Sequence, residues 1–360
     1  MAAPLVPRLL RRGLEVFALI SVIVFGGLLF YGNNLELFAR AIVSLKWHWV
    51  LLGVVVASMD WIGGGLRLYV LAKHVHPETT LRGCIMSAGM NAWGTLLTPS
   101  QAGGGPVGIY TLKRFGTPLP VAMVVTFMSF VATILFFGVA GPLTIYFGAG
   151  ESLEEHGVLG VLSLRQLYWL SLGGFITVGA IILFLVIFPG VARKLAHRIV
   201  RALERRGSAK LANRVEALNP GIDRAHEAIV AFFKGRGWLS LLGAVVFTGV
   251  AMSNKLLAGF IVLRALDIPA HGVDVVVLQT LIVFLLYFAP TPGGSGIAEV
   301  LSAAVMSIYV PRELTPVYVL LWRVMVGYLT VVVGSFVFWR WLRKAEKKPG
   351  ELEEGMEVGL

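Results

Sequence analysis

Cysteine is almost missing: Cys84 is the single one in 360 residues. An internal disulfide and a thiolate metal cluster are therefore excluded. Charge is scarce too, at 14% of residues, well below the quarter or so typical of soluble domains. The signatures of several catalytic classes do not occur. Glycines 103–105 lack the Lys-Ser/Thr that completes a phosphate-binding loop. His226 opens "HEAIV" without the second His of a zinc protease. There is no Gly-x-Ser-x-Gly elbow, and the Ser of "GGSG" has no His near it in sequence. The "HVH" of His74–His76 reads as an interfacial turn rather than a metal site. No nucleotide-binding domain is recognised, so transport driven by ATP on this chain is not expected. No cofactor is expected either.

What is present is apolar. Hydrophobic residues make up 57% of the chain and mean hydropathy is +0.80. Several runs approach the ~20 residues that cross a bilayer as a helix. The class implied is an all-α polytopic membrane protein. The net charge of +11 does not point to nucleic acid, because the basic residues cluster in a few loops and the tails, as cytoplasmic loops facing anionic lipid do. "MAAPLVPRLLRRG" followed by an apolar stretch resembles a signal peptide, but "YGNNLELF" offers no small-residue cleavage pattern, so it reads as a retained first span.

About six full spans are expected, near 14–31, 47–72, 118–147, 166–189, 238–263 and 313–340. Two further apolar stretches are interrupted. Leu81–Gly116 is broken by Pro99, Gly103, Gly104, Gly105 and Pro106. Val273–Val310 is broken by Pro290, Pro292, Gly293, Gly294 and Gly296. The half from Ile297 to Val310 gives roughly 21 Å of helix, short of a hydrocarbon core of about 30 Å. Each stretch therefore reads as a re-entrant helical hairpin.

Charge orients this topology. "RLLRR" and the tail "RWLRKAEKK" place both termini inside. Gly150–Leu164 holds three Glu and no Lys or Arg and reads as outside. Residues 191–236 hold 11 Lys and Arg against 4 Asp and Glu and read as inside. Six spans satisfy these sides if one hairpin enters from each face. The organisation is then a single transmembrane domain, 1–343, with a short tail, 344–360. Residues 47–147 and 238–340 form a candidate inverted repeat, each carrying Thr-Pro and then glycines at its break, a pattern found in transporters. Within the basic loop, Val191, Leu195, Ile199 and Leu203 recur every four residues among cations. Residues 191–206 thus suit an amphipathic helix on an anionic membrane surface, or a positive-inside loop that happens to be helical.

Charged residues inside spans are costly and point to function. Asp60 and Arg67 lie seven apart on one helical face, Lys255 lies deep in its span, Glu299 follows the second break, and Arg323 lies in the last span. Arg67 alternatively snorkels to the membrane edge, and Glu299 alternatively caps a helix in a purely structural pair with Lys255 or Arg323. The functional reading joins them. Half-helix N-termini attract anions, glycines allow close approach to backbone, and Arg67, Lys255 and Arg323 add positive charge. The candidate substrate-binding set is Arg67, Thr98, Pro99, Gly103–Gly105, Lys255, Pro292, Gly293, Gly294, Gly296, Glu299 and Arg323. A phospholipid headgroup, including an aminoacylated one, or a polyprenyl-phosphate lipid suits such a site.

Four stretches resemble a known family: "GGGLRLYVLAKH" with Arg67, "TPSQAGGGPVGIYTLKRFG", "APTPGGSGIAE" with Glu299, and "LLWRVMVGYLTVVVGSF" with Arg323. Over about Trp47 to Trp339 the chain resembles the lysylphosphatidylglycerol synthase transmembrane region family, flippase-like proteins related to the membrane half of the multiple peptide resistance factor. The resemblance implies movement of aminoacylated phosphatidylglycerol or another lipid between leaflets. Two departures stand out: Gly104 replaces the Glu of the better-known subgroup's Gly-Glu, and only about 20 residues follow the last span, so synthase activity is not carried over. The expectation is a lipid flippase of the cytoplasmic (inner) membrane and not an enzyme. A membrane-embedded lipid-modifying transferase and a scaffold for a separately encoded synthase are the alternatives. A separate synthase or a second copy of the chain are the protein partners considered.

Overall fold

The structure is a computed structural model that describes residues 5–31, 35–146, 164–205, 226–227, 229–230, 232–233 and 235–346. The acidic segment 150–163, residues 206–225 of the basic loop, and the tail from 347 lie outside the described residues. Helices follow one another throughout, and no strand occurs among the described residues.

In chain order the helices are α1 (Leu5–Tyr31), α2 (Leu35–Val43), α3 (Trp47–Ala57), α4 (Met59–Val75), α5 (Leu81–Leu97), α6 (Gly104–Arg114) and α7 (Leu119–Tyr146). They continue with α8 (Leu164–Ile187), α9 (Pro189–Arg205), α10 (Gly237–Ala265), α11 (Gly272–Tyr287), α12 (Ile297–Met306), α13 (Thr315–Arg323) and α14 (Leu329–Glu346). α3 and α4 form one run bent at Ser58, whose hydroxyl donates to the Val55 carbonyl at 2.6 Å and so competes with the helical ladder. A single π turn, Val324–Tyr328, joins α13 to α14 directly after Arg323.

Five runs are long and apolar enough to cross a membrane by length and composition: 47–75, 119–143, 165–185, 237–265 and 315–341. They coincide with five of the six expected spans. The sixth corresponds to α1, 27 residues long. The chain is an all-α polytopic membrane protein.

The interrupted stretches fold as antiparallel helix pairs. In the first, Gly83 lies against Phe115, Gly94 against Gly103, and the Ser87 hydroxyl donates to Gly108 O at 2.8 Å. In the second, the Asp274 carboxylate accepts from the Tyr309 hydroxyl, and Gly294 lies against Leu286. Partners move apart in sequence as they leave the break, which defines a hairpin. The two tips touch: a Cβ on Gly293 would lie 2.7 Å from Leu96 O, and Gln101 Nε2 donates to Leu286 O at 3.2 Å.

α11 is apolar along most of its length, with its few polar side chains such as Gln279 bonded inside the protein, and it is largely enclosed. Leu278, Leu281, Ile282 and Phe284 are completely buried, packed with Phe137, Tyr168 and Phe175. Hairpin α5–α6 packs through small residues instead. On α4, Gly64 meets Ala88 and Gly65 meets Ile85 of α5, while Gly63 meets the backbone of Val250 and Ala251 on α10. Such residues bring helix backbones close where dispersion rather than the hydrophobic effect drives association.

α9 presents two rows. Ala192, Ala196 and Val200 are buried; Val191, Leu195 and Ile199 are exposed beside exposed Arg193, Lys194 and Arg198. Further along the same loop, Ile229 and Phe232 are buried against the α4–α10 region. His74 Nε2 lies 3.0 Å from Phe232 O, joining α4 to this segment.

Gly63→Val is expected to destabilise the fold by about 1–3 kcal/mol through overpacking, because its Cβ would meet backbone at 2.6 Å. Gly26→Ala, where nothing lies within 4 Å, is the matched control. Thermal unfolding in detergent reads both; equal midpoints would refute the close α4–α10 crossing.

Candidate functional site

Each break is held by side chains that replace lost helical hydrogen bonds. Thr98 adopts an extended conformation before Pro99, as residues preceding proline do. Its hydroxyl donates to Gly94 O and accepts from Gly103 N, both at 2.8 Å. Thr291 is likewise extended before Pro292. Gly293, Gly294 and Gly296 then take φ of +57°, +65° and +84°, values that favour glycine. The Glu299 carboxylate turns back to accept from Gly296 N at 2.8 Å and caps α12.

Glu299 also holds Arg323. Arg323 Nε lies 2.9 Å from Glu299 Oε1, with the side chains 2% and 1% exposed. Arg323 Nη1 donates to Gly293 O at 3.3 Å, and its Nη2 has no partner among the described residues. α1 closes this centre from the outside. The Phe17 ring lies 5.7 Å from the guanidinium, and Ser21 donates to Glu299 at 3.5 Å. Nothing in the sequence gave α1 a part in the site.

Beside the touching tips lies a cavity of about 410 Å³. Asp60, Arg67, Lys255 and Arg323 are the ionic side chains that line it. Lys255 pairs with Asp60 at 3.5 Å, tying α10 to α4. Arg67 donates to the Thr133 hydroxyl at 3.0 Å, and its Nε is buried without a partner among the described residues. Arg67 therefore turns inward to α7 rather than snorkelling.

The structure brings together Arg67, Lys255, Arg323, Gly105 and Gly293 of the expected residues at this cavity. Thr98, Pro99, Gly103, Gly104, Pro292, Gly294, Gly296 and Glu299 shape the breaks without lining it. The two half-helix N-termini thus differ. α6 reaches the cavity through Gly105, whose Cβ position is open, whereas α12 is capped by its own Glu299.

Several cavity residues were not singled out from sequence. Ser87, Asn91 and Thr95 line it from α5, Thr126, Ser129 and Thr133 from α7, and Gln101 from the first break. Their spacings of four and four, and of three and four, each define one helical face. A polar stripe at that period in an otherwise apolar span is the signal that finds them. No group of three or more His, Cys, Asp or Glu able to hold a metal occurs among the described residues.

Spans, touching hairpins and a cavity lined by cationic side chains together define a polytopic helical membrane protein built around that chamber. Comparison with known sequences narrows this class. The chain belongs to the family described as the lysylphosphatidylglycerol synthase TM region, whose sequence model matches residues 16–334. The match takes in both hairpins and every residue of the chamber. The chain is also similar to a UPF0104 membrane protein of Archaeoglobus fulgidus, 22% identical over 323 residues, covering 88% of this chain and 93% of that protein. Membership supports a membrane role connected with lipid.

Removing either member of the Arg323–Glu299 pair leaves a buried charge uncompensated. Arg323→Met and Glu299→Gln are each expected to cost about 3–5 kcal/mol, and the double replacement to recover most of that loss. Unfolding midpoints of the four proteins test this; additive losses would refute the coupling.

Proposed function

We propose that the protein carries a lipid with an anionic headgroup between the leaflets of the cytoplasmic membrane, with both termini on the cytoplasmic side. The observation that carries this reading is the chamber itself: three cationic side chains around a cavity at the join of two broken helices. Irregular backbone within a membrane is tolerated where it lines a cavity or packs on protein. Polar side chains on that backbone supply a path for a headgroup that lipid alone refuses.

In this reading the hairpins are re-entrant, one from each face, and their contact lies near mid-depth. An inverted repeat is supported by helix lengths and packing. Residues 47–75 and 237–265 are both 29 long; α5 and α11 have 17 and 16 residues, α6 and α12 have 11 and 10. Exchanging the halves also exchanges their contacts. α4 packs on α5 as α10 does on α11, and α5 packs on α14 as α11 does on α7. One half rocking against the other would expose the chamber alternately. The exposed apolar row of α9, flanked by cations, suits the surface of an anionic leaflet. The chemistry is transport rather than lipid modification.

Headgroup accessibility in proteoliposomes tests the proposal, comparing wild type, Arg67→Ala and empty vesicles. Losing a hydrogen bond from a charged group costs about 1.5–3 kcal/mol, so the variant is expected to move lipid at least about tenfold more slowly. Equal rates in all three samples would remove the transport reading. A covalently altered lipid in the wild-type sample would replace it with a transferase.

A further inference from the structure

We infer that Tyr287 is a ligand contact of the chamber, its hydroxyl donating to a phosphate oxygen of the bound headgroup. The inference rests on the lipid-carrier reading above and adds a recognition residue to that site.

Tyr287 is the last residue of α11, ahead of the second break. It lines the cavity together with Arg67, Lys255 and Arg323. Three elements fix its place. The carbonyl of the preceding residue, Leu286, accepts from Gln101 of the first break at 3.2 Å. The contact between the hairpin tips therefore registers the backbone beside Tyr287. Its ring lies 5.0 Å from that of Phe175 on α8, and Phe175 in turn packs on Phe137 and Phe284. Phe175 is buried and is itself part of the cavity wall. Packing thus holds the ring, and a phenylalanine would serve that packing equally well. The hydroxyl needs a separate explanation.

Tyrosine hydroxyls drawn into a protein interior are as a rule hydrogen-bonded. Neighbouring tyrosines follow the rule. Tyr168 donates to Gly141 O at 3.1 Å, Tyr309 donates to Asp274, and Tyr318 accepts from Gln279 Nε2 at 3.3 Å. Tyr287 has no hydrogen-bond partner among the described residues. It stands instead within electrostatic reach of Lys255, Arg67 and Asp60. The carboxylate of Asp60 is already engaged by Lys255 at 3.5 Å and lies near Arg67 as well. The phenol proton is therefore left for an acceptor that arrives with the ligand. The cations give that ligand its sign, and they hold an anion from a wide range of directions. A hydroxyl adds a directed donor without adding charge, and its bond to an ionised oxygen is about twice as strong as one to a neutral acceptor. A phosphate held there lies beside the junction of the two tips.

The test compares the full-length wild type with Tyr287→Phe, which keeps the ring and removes the oxygen alone. The unfolding midpoint in detergent is expected to be unchanged, since no hydrogen bond within the protein is lost. A lower midpoint would give the hydroxyl a structural partner and overturn the inference. In proteoliposomes of mixed phosphatidylethanolamine and phosphatidylglycerol the variant is expected to move lipid about tenfold more slowly, the order of effect of one hydrogen bond to a charged group. A variant as fast as an active wild type overturns the contact and leaves the carrier reading standing. Binding is read separately from movement. With 3-fluorotyrosine in place of Tyr287, the fluorine resonance in detergent is expected to shift on addition of dihexanoyl phosphatidic acid and not of dihexanoylglycerol, which lacks the phosphate. Equal shifts with both, or no shift with either, overturn the contact. A shift confined to phosphatidic acid, with wild-type movement no faster than in empty vesicles, supports the phosphate contact and removes the carrier reading.

Discussion

Backbone groups set free where a helix breaks must find partners inside the protein when no water is at hand. The centre of this molecule is organised around that requirement. Thr98 serves Gly94 O and Gly103 N, Gln101 serves Leu286 O, Arg323 serves Gly293 O, and Glu299 serves Gly296 N. The carboxylate after the second break is thus explained twice, as the cap of α12 and as the counter-charge that lets Arg323 reach a freed carbonyl. Two of the five bonds, those of Gln101 and Arg323, tie one element to another, so satisfying the backbone also helps fix how the hairpin tips meet.

The charge of the chamber follows from the same arrangement. Arg323 and Glu299 are consumed largely in holding the second break, and Lys255 with Asp60 holds α10 to α4. Arg67 donates to the Thr133 hydroxyl and shares the nearby Asp60 with Lys255. A buried ion pair is weak evidence for stability taken alone. Here the Lys255–Asp60 pair joins α10 to α4, where Gly63 has already brought the two backbones close. α1, outside both halves of the proposed repeat, lies across the join: Gly13 abuts Leu97 O and Phe17 abuts Gly293. It covers the freed backbone at that join.

Much of this was readable from residue order. Long apolar runs, Pro and Gly punctuation and the distribution of Lys and Arg are local properties, and each carries its physical meaning without neighbours. The breaks, the spans and the rarity of intramembrane charge were therefore visible at once. Which charges pair was not, since Glu299 had two eligible cations and sequence distance does not choose between them. The polar faces of α5 and α7 were present as spacings of three and four but gained meaning only when α4, α5 and α7 were seen to face one cavity.

The amino-acid order by itself determined that this is an all-α membrane protein with two interrupted helices, because hydropathy and backbone stiffness act over a few residues. The fold alone decided that the interruptions touch, that Glu299 belongs to Arg323 and Asp60 to Lys255, and that Arg67 turns inward to Thr133. Pairing between distant charges depends on which helix faces meet, and that is settled by packing across the whole chain.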